Sequence, residues 1–156
     1  MPIRVLLVDD NRFFVEFISH FLAAEPDIEV IGHALTGREG VEKSAASSPD
    51  LVLMDLAMPE MNGLEVTRRI RAQPDPPYVV ILTLYDNLEY RKAAAAVGAS
   101  GYVVKSDLTT QLLPLIRSLF GHPSTSEQES RGGEGAGHKT PPDQQIEVSQ
   151  RLTPPK

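Results

Sequence analysis

Residues 3–11 read Ile3-Arg4-Val5-Leu6-Leu7-Val8-Asp9-Asp10-Asn11, and this stretch decides the fold. A short, nearly unbroken aliphatic run stops at two carboxylates. A strand with one wet face alternates apolar and polar residues. A strand covered on both faces reads as continuous Val, Ile and Leu. Four more such runs follow, at 28–34, 51–54, 78–82 and 102–104. Segments of helical length separate them, and three begin with a cap-x-x-Glu pattern: Thr36 with Glu39, Asn62 with Glu65, Asp86 with Glu89. Asp10 or Asn11 can cap the first helix, and Asp107, Thr109 or Thr110 the last. Phe14, Phe17, Ile18, Phe21 and Leu22 form one stripe at spacings of three and four, the expected buried face of the first helix. Pro114 is tolerable in the last helix if Thr109 or Thr110 is the cap, because it then falls in or near the first turn; otherwise the helix kinks there. Five strand-then-helix units in succession imply an α/β chain with a doubly wound five-stranded parallel sheet, helices on both faces.

Outside these units the chain changes character. The sequence has 156 residues, no cysteine and a formal net charge of -6. Residues 121–156 hold 5 Gly, 5 Pro and only 4 residues of the hydrophobic class, against 60 in residues 1–120. The expected organisation is one domain over 1–120 and a disordered Gly/Pro/Ser-rich tail over 121–156 with no output domain, because the tail cannot bury enough apolar surface to offset the entropy of ordering it. Without cysteine, disulfides, thiolate zinc sites and cysteine nucleophiles are excluded. The acidic balance argues against direct nucleic-acid binding. No apolar run approaches the roughly 20 residues of a membrane span, and the amino terminus lacks the longer apolar region of a signal peptide, so a cytoplasmic location is expected.

In a doubly wound sheet, ligands bind beyond the carboxyl ends of the strands, where the strand order reverses. The first run ends at Asp9 and Asp10, the third at Asp55, the fourth at Thr83 and the fifth at Lys105. A lone carboxylate at a strand end is often a helix cap. Three that converge are harder to explain that way, since each pair at roughly 5 Å and an effective dielectric near 20 repels by about 3 kcal/mol. Lys105 offers one counter-charge, and a bound divalent cation offers the rest. Oxygen ligands without His or Cys favour Mg²⁺ or Mn²⁺. A cation, a carboxylate nucleophile, a hydroxyl and an ammonium together make a phosphoryl-transfer site.

These residues carry a resemblance. Val5 to Asn11, then Met54-Asp55-Leu56-Ala57-Met58-Pro59-Glu60-Met61-Asn62-Gly63, then Leu82-Thr83, then Gly98-Ala99-Ser100-Gly101-Tyr102-Val103-Val104-Lys105 resemble the receiver domain of two-component response regulators, in order and at the family's spacing. The resemblance spans residue 3 to about 120. It implies the flavodoxin-like, CheY-like three-layer fold with strand order 2-1-3-4-5. It implies Asp55 as phosphoacceptor, with Asp9, Asp10, Asp55 and the Ala57 backbone carbonyl as Mg²⁺ ligands. It further implies Thr83 and Lys105 as the groups that meet the phosphoryl oxygens, and Thr83 with Tyr102 as the switch pair. The implied partners are a histidine kinase or phosphotransfer protein and an unidentified downstream target, with a phosphorylation-dependent homodimer as one output. The implied catalysis is limited to the protein's own phosphorylation and dephosphorylation.

Three positions depart from the family pattern. Leu84 follows Thr83, where a small residue is usual, and is expected to slow the entry of small phosphodonors. Ser106 follows Lys105, where Pro is frequent, so a trans bond is the cheaper expectation. Pro114 interrupts the last helix and can alter a dimer or output face. Phe13 and Val15 flank the stripe of the first helix; they are either partly covered core or part of a kinase-docking surface. His20 and His33 read as surface or core residues, and Ala93 to Ala96 as helix packing. A pseudo-receiver scaffold that does not cycle phosphate is the competing reading. An aspartyl-phosphate phosphatase is disfavoured, because the position two beyond its nucleophile, Ala57 here, would carry a second acid. A flavin-binding protein is disfavoured too, since no Gly, Ser or Thr-rich phosphate loop follows the first run.

Overall fold

The aliphatic runs become strands in a computed structural model, which describes residues 1–121. They are β1 (Ile3–Val8), β2 (Ile28–Ala34), β3 (Leu51–Asp55), β4 (Tyr78–Thr83) and β5 (Gly101–Val104). All pair in parallel, in the order β2-β1-β3-β4-β5. The helices are α1 (Arg12–Ala23), α2 (Gly37–Ser47), α3 (Gly63–Arg71), α4 (Leu88–Ala96) and α5 (Leu108–Phe120). Among the described residues, no helix is long and apolar enough to cross a membrane. The expected tail, from residue 122 onward, lies outside the described residues.

The two-faced burial expected of the runs is visible residue by residue. Val5 and Leu7 belong to one core with α1 and α5, packed against Ile18, Leu22, Leu112 and Ile116. Leu6 and Val8 belong to the opposite core with α3 and α4, packed against Val66, Ile70, Ala94 and Tyr102. Period-two alternation sends successive side chains to opposite faces, and both faces are covered.

Helix starts follow the local hydrogen-bond rules, with one correction, at α4. Asn11 caps α1, its side chain accepting from the Phe14 N–H at 3.2 Å. Thr36 caps α2 by accepting from the Glu39 N–H at 3.1 Å, and the Glu39 carboxylate reaches back past the cap to accept from the Leu35 N–H at 3.0 Å. Asn62 accepts from Leu64 and Glu65. For α4 the expected Asp86 gives way to Asn87, which accepts from Glu89 at 2.8 Å and Tyr90 at 3.1 Å. Asp86 pairs instead with Arg91. For α5 the cap position is Asp107, not Thr109 or Thr110, so Pro114 lies well past the first turn. Pro114 and Thr110 are both exposed. The Thr110 carbonyl, which loses its i+4 donor to the proline ring, is therefore on the face that meets water.

The face of α1 is also corrected. Its buried residues are Val15, Ile18 and Leu22, with Phe14 and Phe21 at the edges, while Phe17 is 49% exposed. The core stripe is rotated away from Phe17 towards Val15. Val15, offered with Phe13 as a docking residue, is core; Phe13, 84% exposed, is the one that faces outward.

Candidate functional site

The chain leaves β1 for β2 on one side and returns to β3 on the other, which opens a crevice beyond the ends of β1 and β3. Val8 pairs with Met54 and Asp55 with Leu82, so Asp9 and Asp55 emerge side by side at this edge. Thr83 pairs with Val104, which places Lys105 one step further along the same edge. Gly63 closes the floor: its N–H donates to the Leu56 carbonyl at 2.8 Å, and a Cβ there would collide with the Asp55 carbonyl oxygen. Only glycine lets α3 start this near the end of β3.

Asp9 and Asp55 are buried and Asp10 is exposed. Each offers a carboxylate oxygen, and the three oxygens lie within 4.8 Å of one another. Asp9 accepts from the Asn11 N–H at 2.9 Å and from the Lys105 ammonium at 2.9 Å. The same ammonium is 3.5 Å from Asp55. One ammonium thus contacts two of the three carboxylates. Burial raises the Asp55 carboxyl to about 6, with repulsion from Asp9 adding to it and Lys105 partly offsetting it.

The residues present fit a hard divalent cation. The donors are all oxygens, a buried carboxylate is short of positive charge, and Ala57, two residues beyond Asp55, lies in an exposed loop. Asp9, Asp10 and Asp55 would hold such an ion.

Thr83 is buried, and its hydroxyl oxygen accepts from the Tyr85 N–H at 3.1 Å. Tyr102 is buried too, and its hydroxyl donates to the Tyr85 carbonyl at 2.7 Å. One peptide segment therefore links the two. Burial raises the Tyr102 phenol above its ordinary value, so it remains a donor at neutral pH. The Arg91 guanidinium lies 4.5 Å over the Tyr102 ring and is anchored by Asp86 at 3.1 Å.

Of the departures, Leu84 is 70% exposed beside the site, and no peptide bond in the described residues is cis, so Lys105-Ser106 is trans. His20 and His33 are surface residues, and in Ala93 to Ala96 only Ala94 is fully buried. Two participants, the Tyr85 backbone and Arg91, were not singled out in the sequence, and Phe14, expected only as core, has its ring centroid 3.9 Å from the Lys105 ammonium. The spacing of Arg91 and Asp86 on a helix start was the only sequence signal among them.

Comparison with known proteins agrees with this geometry. The family profile described as "Response regulator receiver domain" matches residues 5–117. The response regulator protein VraR of Staphylococcus saprophyticus is 37% identical over 131 residues, which is 83% of this chain and 62% of VraR. The transcriptional regulatory protein LiaR of Bacillus subtilis is 38% identical, covering 74% of this chain and 55% of LiaR. The chain thus spans less than two thirds of either relative. Among solved structures, a LuxR-family response regulator from Aurantimonas superposes with TM-score 0.73 at 30% identity, covering 76% of this chain and 85% of that one. The CheY of Borrelia burgdorferi, solved with CheX, BeF3 and Mg, superposes with TM-score 0.72 at 26% identity, covering 78% and 92%. Profile, relatives and fold converge on one assignment: this chain belongs to the response regulator receiver domain family.

Proposed function

We propose that residues 1–120 act as the phospho-accepting module of a two-component relay. The module takes a phosphoryl group from the phosphohistidine of a histidine kinase or phosphotransfer protein onto Asp55 and changes its affinity for a downstream partner. Under this reading it works in the cytoplasm and catalyses only its own phosphorylation and dephosphorylation. The observation that carries the proposal is the buried, under-neutralised Asp55, with Lys105 at 3.5 Å and Asp9 and Asp10 within reach of a shared cation.

The chemistry follows from the groups in place. Asp55 is ionised at neutral pH, its carboxyl lying at about 6. A carboxylate oxygen attacks phosphorus in line with the donor nitrogen. The P–N bond breaks, and the imidazole leaves neutral, keeping the bonding pair as its other ring nitrogen holds a proton. Asp9, Asp10, Asp55 and the Ala57 carbonyl would hold Mg²⁺, which when bound would supply charge neutralisation for the phosphoryl oxygens. Lys105 moves its ammonium from Asp9 towards the new acyl phosphate. The Thr83 hydroxyl, which accepts from Tyr85 here, has its proton free to donate to a phosphoryl oxygen. A shift of Thr83 reaches Tyr102 through the Tyr85 peptide, and Tyr102 in turn supports Arg91 on α4. Leu84, Tyr85, Leu88 and Tyr90 give that edge of α4 exposed apolar area for a partner or a second copy.

Intact mass and solution size, measured with Mg²⁺ and phosphoramidate, test this directly. The expected result is one phosphoryl mass gain that disappears with chelator and in Asp55→Ala. Failure with both phosphoramidate and a phosphorylated histidine kinase leaves the protein as a scaffold that does not cycle phosphate.

A further inference from the structure

The Lys105 ammonium is nine-tenths buried, yet it does not face only carboxylates. Asp9 stands at 2.9 Å and Asp55 at 3.5 Å on one side; the face of Phe14 stands at 3.9 Å on the other. An ammonium within about 6 Å of an aromatic centroid is attracted to the ring quadrupole, more strongly where water is excluded. Phe14 comes from the first turn of α1, directly after the carboxylate pair, and its ring packs onto the core that carries Val15 and Ile18. The ring is thus held by the fold, in contact with the ammonium.

The geometry points to Phe14 as a positioning residue for the site, one that pins Lys105 as an internal counter-cation against Asp9 and Asp55. This deepens the phospho-acceptor reading and rests on it. Two consequences of opposite sign follow. The pinned ammonium occupies Asp9, a carboxylate that a divalent cation also needs, so Phe14 lowers the affinity for that cation. The same pinned ammonium is already beside Asp55 when negative charge develops on an incoming phosphoryl group, so Phe14 speeds phosphorylation. A residue that only packed the core would not split the two: loosening the site would weaken cation binding and phosphorylation together.

The test measures the Mg²⁺ dissociation constant of the full chain by calorimetry, and the phosphorylation rate from phosphoramidate at saturating Mg²⁺. Phe14→Leu keeps an apolar side chain and removes the ring face; Phe14→Tyr keeps the face. Phe14→Leu is expected to bind Mg²⁺ about three- to tenfold tighter and to phosphorylate about three- to tenfold more slowly, with Phe14→Tyr within about twofold of wild type on both. Lys105→Met, a second background, is expected to bind Mg²⁺ tighter by itself and to leave Phe14→Leu without further effect on that affinity. Unchanged or weaker Mg²⁺ binding in Phe14→Leu, or Leu and Tyr variants that behave alike, overturns the role of Phe14 while leaving the phospho-acceptor reading intact. A wild type that binds no Mg²⁺ overturns both.

Discussion

Two clusters of charge on this molecule use the same residue types and reach opposite states. On the side of α5, Arg117 meets Asp27 at 2.6 Å and Glu25 at 2.8 Å, tying the helix to the turn before β2. Two carboxylates there share a guanidinium with donors enough for both, and Asp27 also receives the Ile3 N–H on its backbone carbonyl at 2.8 Å. Beyond the ends of β1 and β3, three carboxylates cluster, the ammonium there contacts only Asp9 and Asp55, and burial leaves Asp55 with its carboxyl raised to about 6. The first cluster holds secondary elements together. The second leaves a deficit of positive charge at the one place where the sheet topology opens a crevice. The difference lies both in the count, two carboxylates per cation against three, and in the matching of donors to acceptors.

Substitutions should therefore change sign between the two clusters. Arg117→Met leaves two partly buried carboxylates without their cation, and is expected to destabilise the protein by about 2–4 kcal/mol in chemical denaturation. Asp55→Asn, without divalent cation at neutral pH, removes a buried charge and is expected to stabilise by about 3 kcal/mol. Equal destabilisation by both substitutions would break the contrast.

The pH dependence sharpens it. The folded-state carboxyl of Asp55, at about 6, lies above its ordinary value of 3.8. The native state then binds the proton more tightly than the unfolded chain. This contribution favours folding below the unfolded value and is lost as pH rises from 3.8 through 6. In chelator, the stability of wild type relative to Asp55→Asn is expected to fall by about 3 kcal/mol across that window and then stay level. A flat difference would mean that Lys105 already neutralises the site.

The smallest effect concerns the switch edge. Arg91→Ala removes the cation over Tyr102 and its link to Asp86, and is expected to cost about 1 kcal/mol. Near-ultraviolet circular dichroism should register the change in the tyrosine surroundings, which a loss confined to surface charge would not produce.

What was legible in the sequence was what covalent order and period determine. The strands show because both their faces are buried, so no polar residue interrupts Val5 to Val8 or Leu51 to Met54. The convergence of Asp9, Asp10, Asp55, Thr83 and Lys105 shows because parallel strands place their carboxyl ends along one edge. What was hidden depends on small rotations in three dimensions. The α1 stripe was read as Phe14, Phe17, Ile18, Phe21 and Leu22, but the helix turns Val15 into the core and leaves Phe17 outside it. The α5 cap was left open among Asp107, Thr109 and Thr110; the 3-10 turn Lys105–Asp107 selects Asp107 and leaves Pro114 on the wet face. The ring of Phe14 over Lys105 and the Tyr85 peptide between Thr83 and Tyr102 join residues far apart in sequence through directions that no periodicity encodes.

The central claim is that the strand-end site is electrostatically incomplete until it binds a cation. Thermal unfolding of wild type and Asp55→Asn, each in chelator and in excess Mg²⁺, tests it most directly. The account predicts a crossing: Asp55→Asn melts higher than wild type in chelator, and Mg²⁺ raises the wild-type midpoint, by about 2.7 kcal/mol of stabilisation at a hundredfold excess over the dissociation constant, with a much smaller gain in the variant. Melting curves that Mg²⁺ leaves unmoved in the wild type, or an Asp55→Asn protein less stable than wild type in chelator, would contradict it.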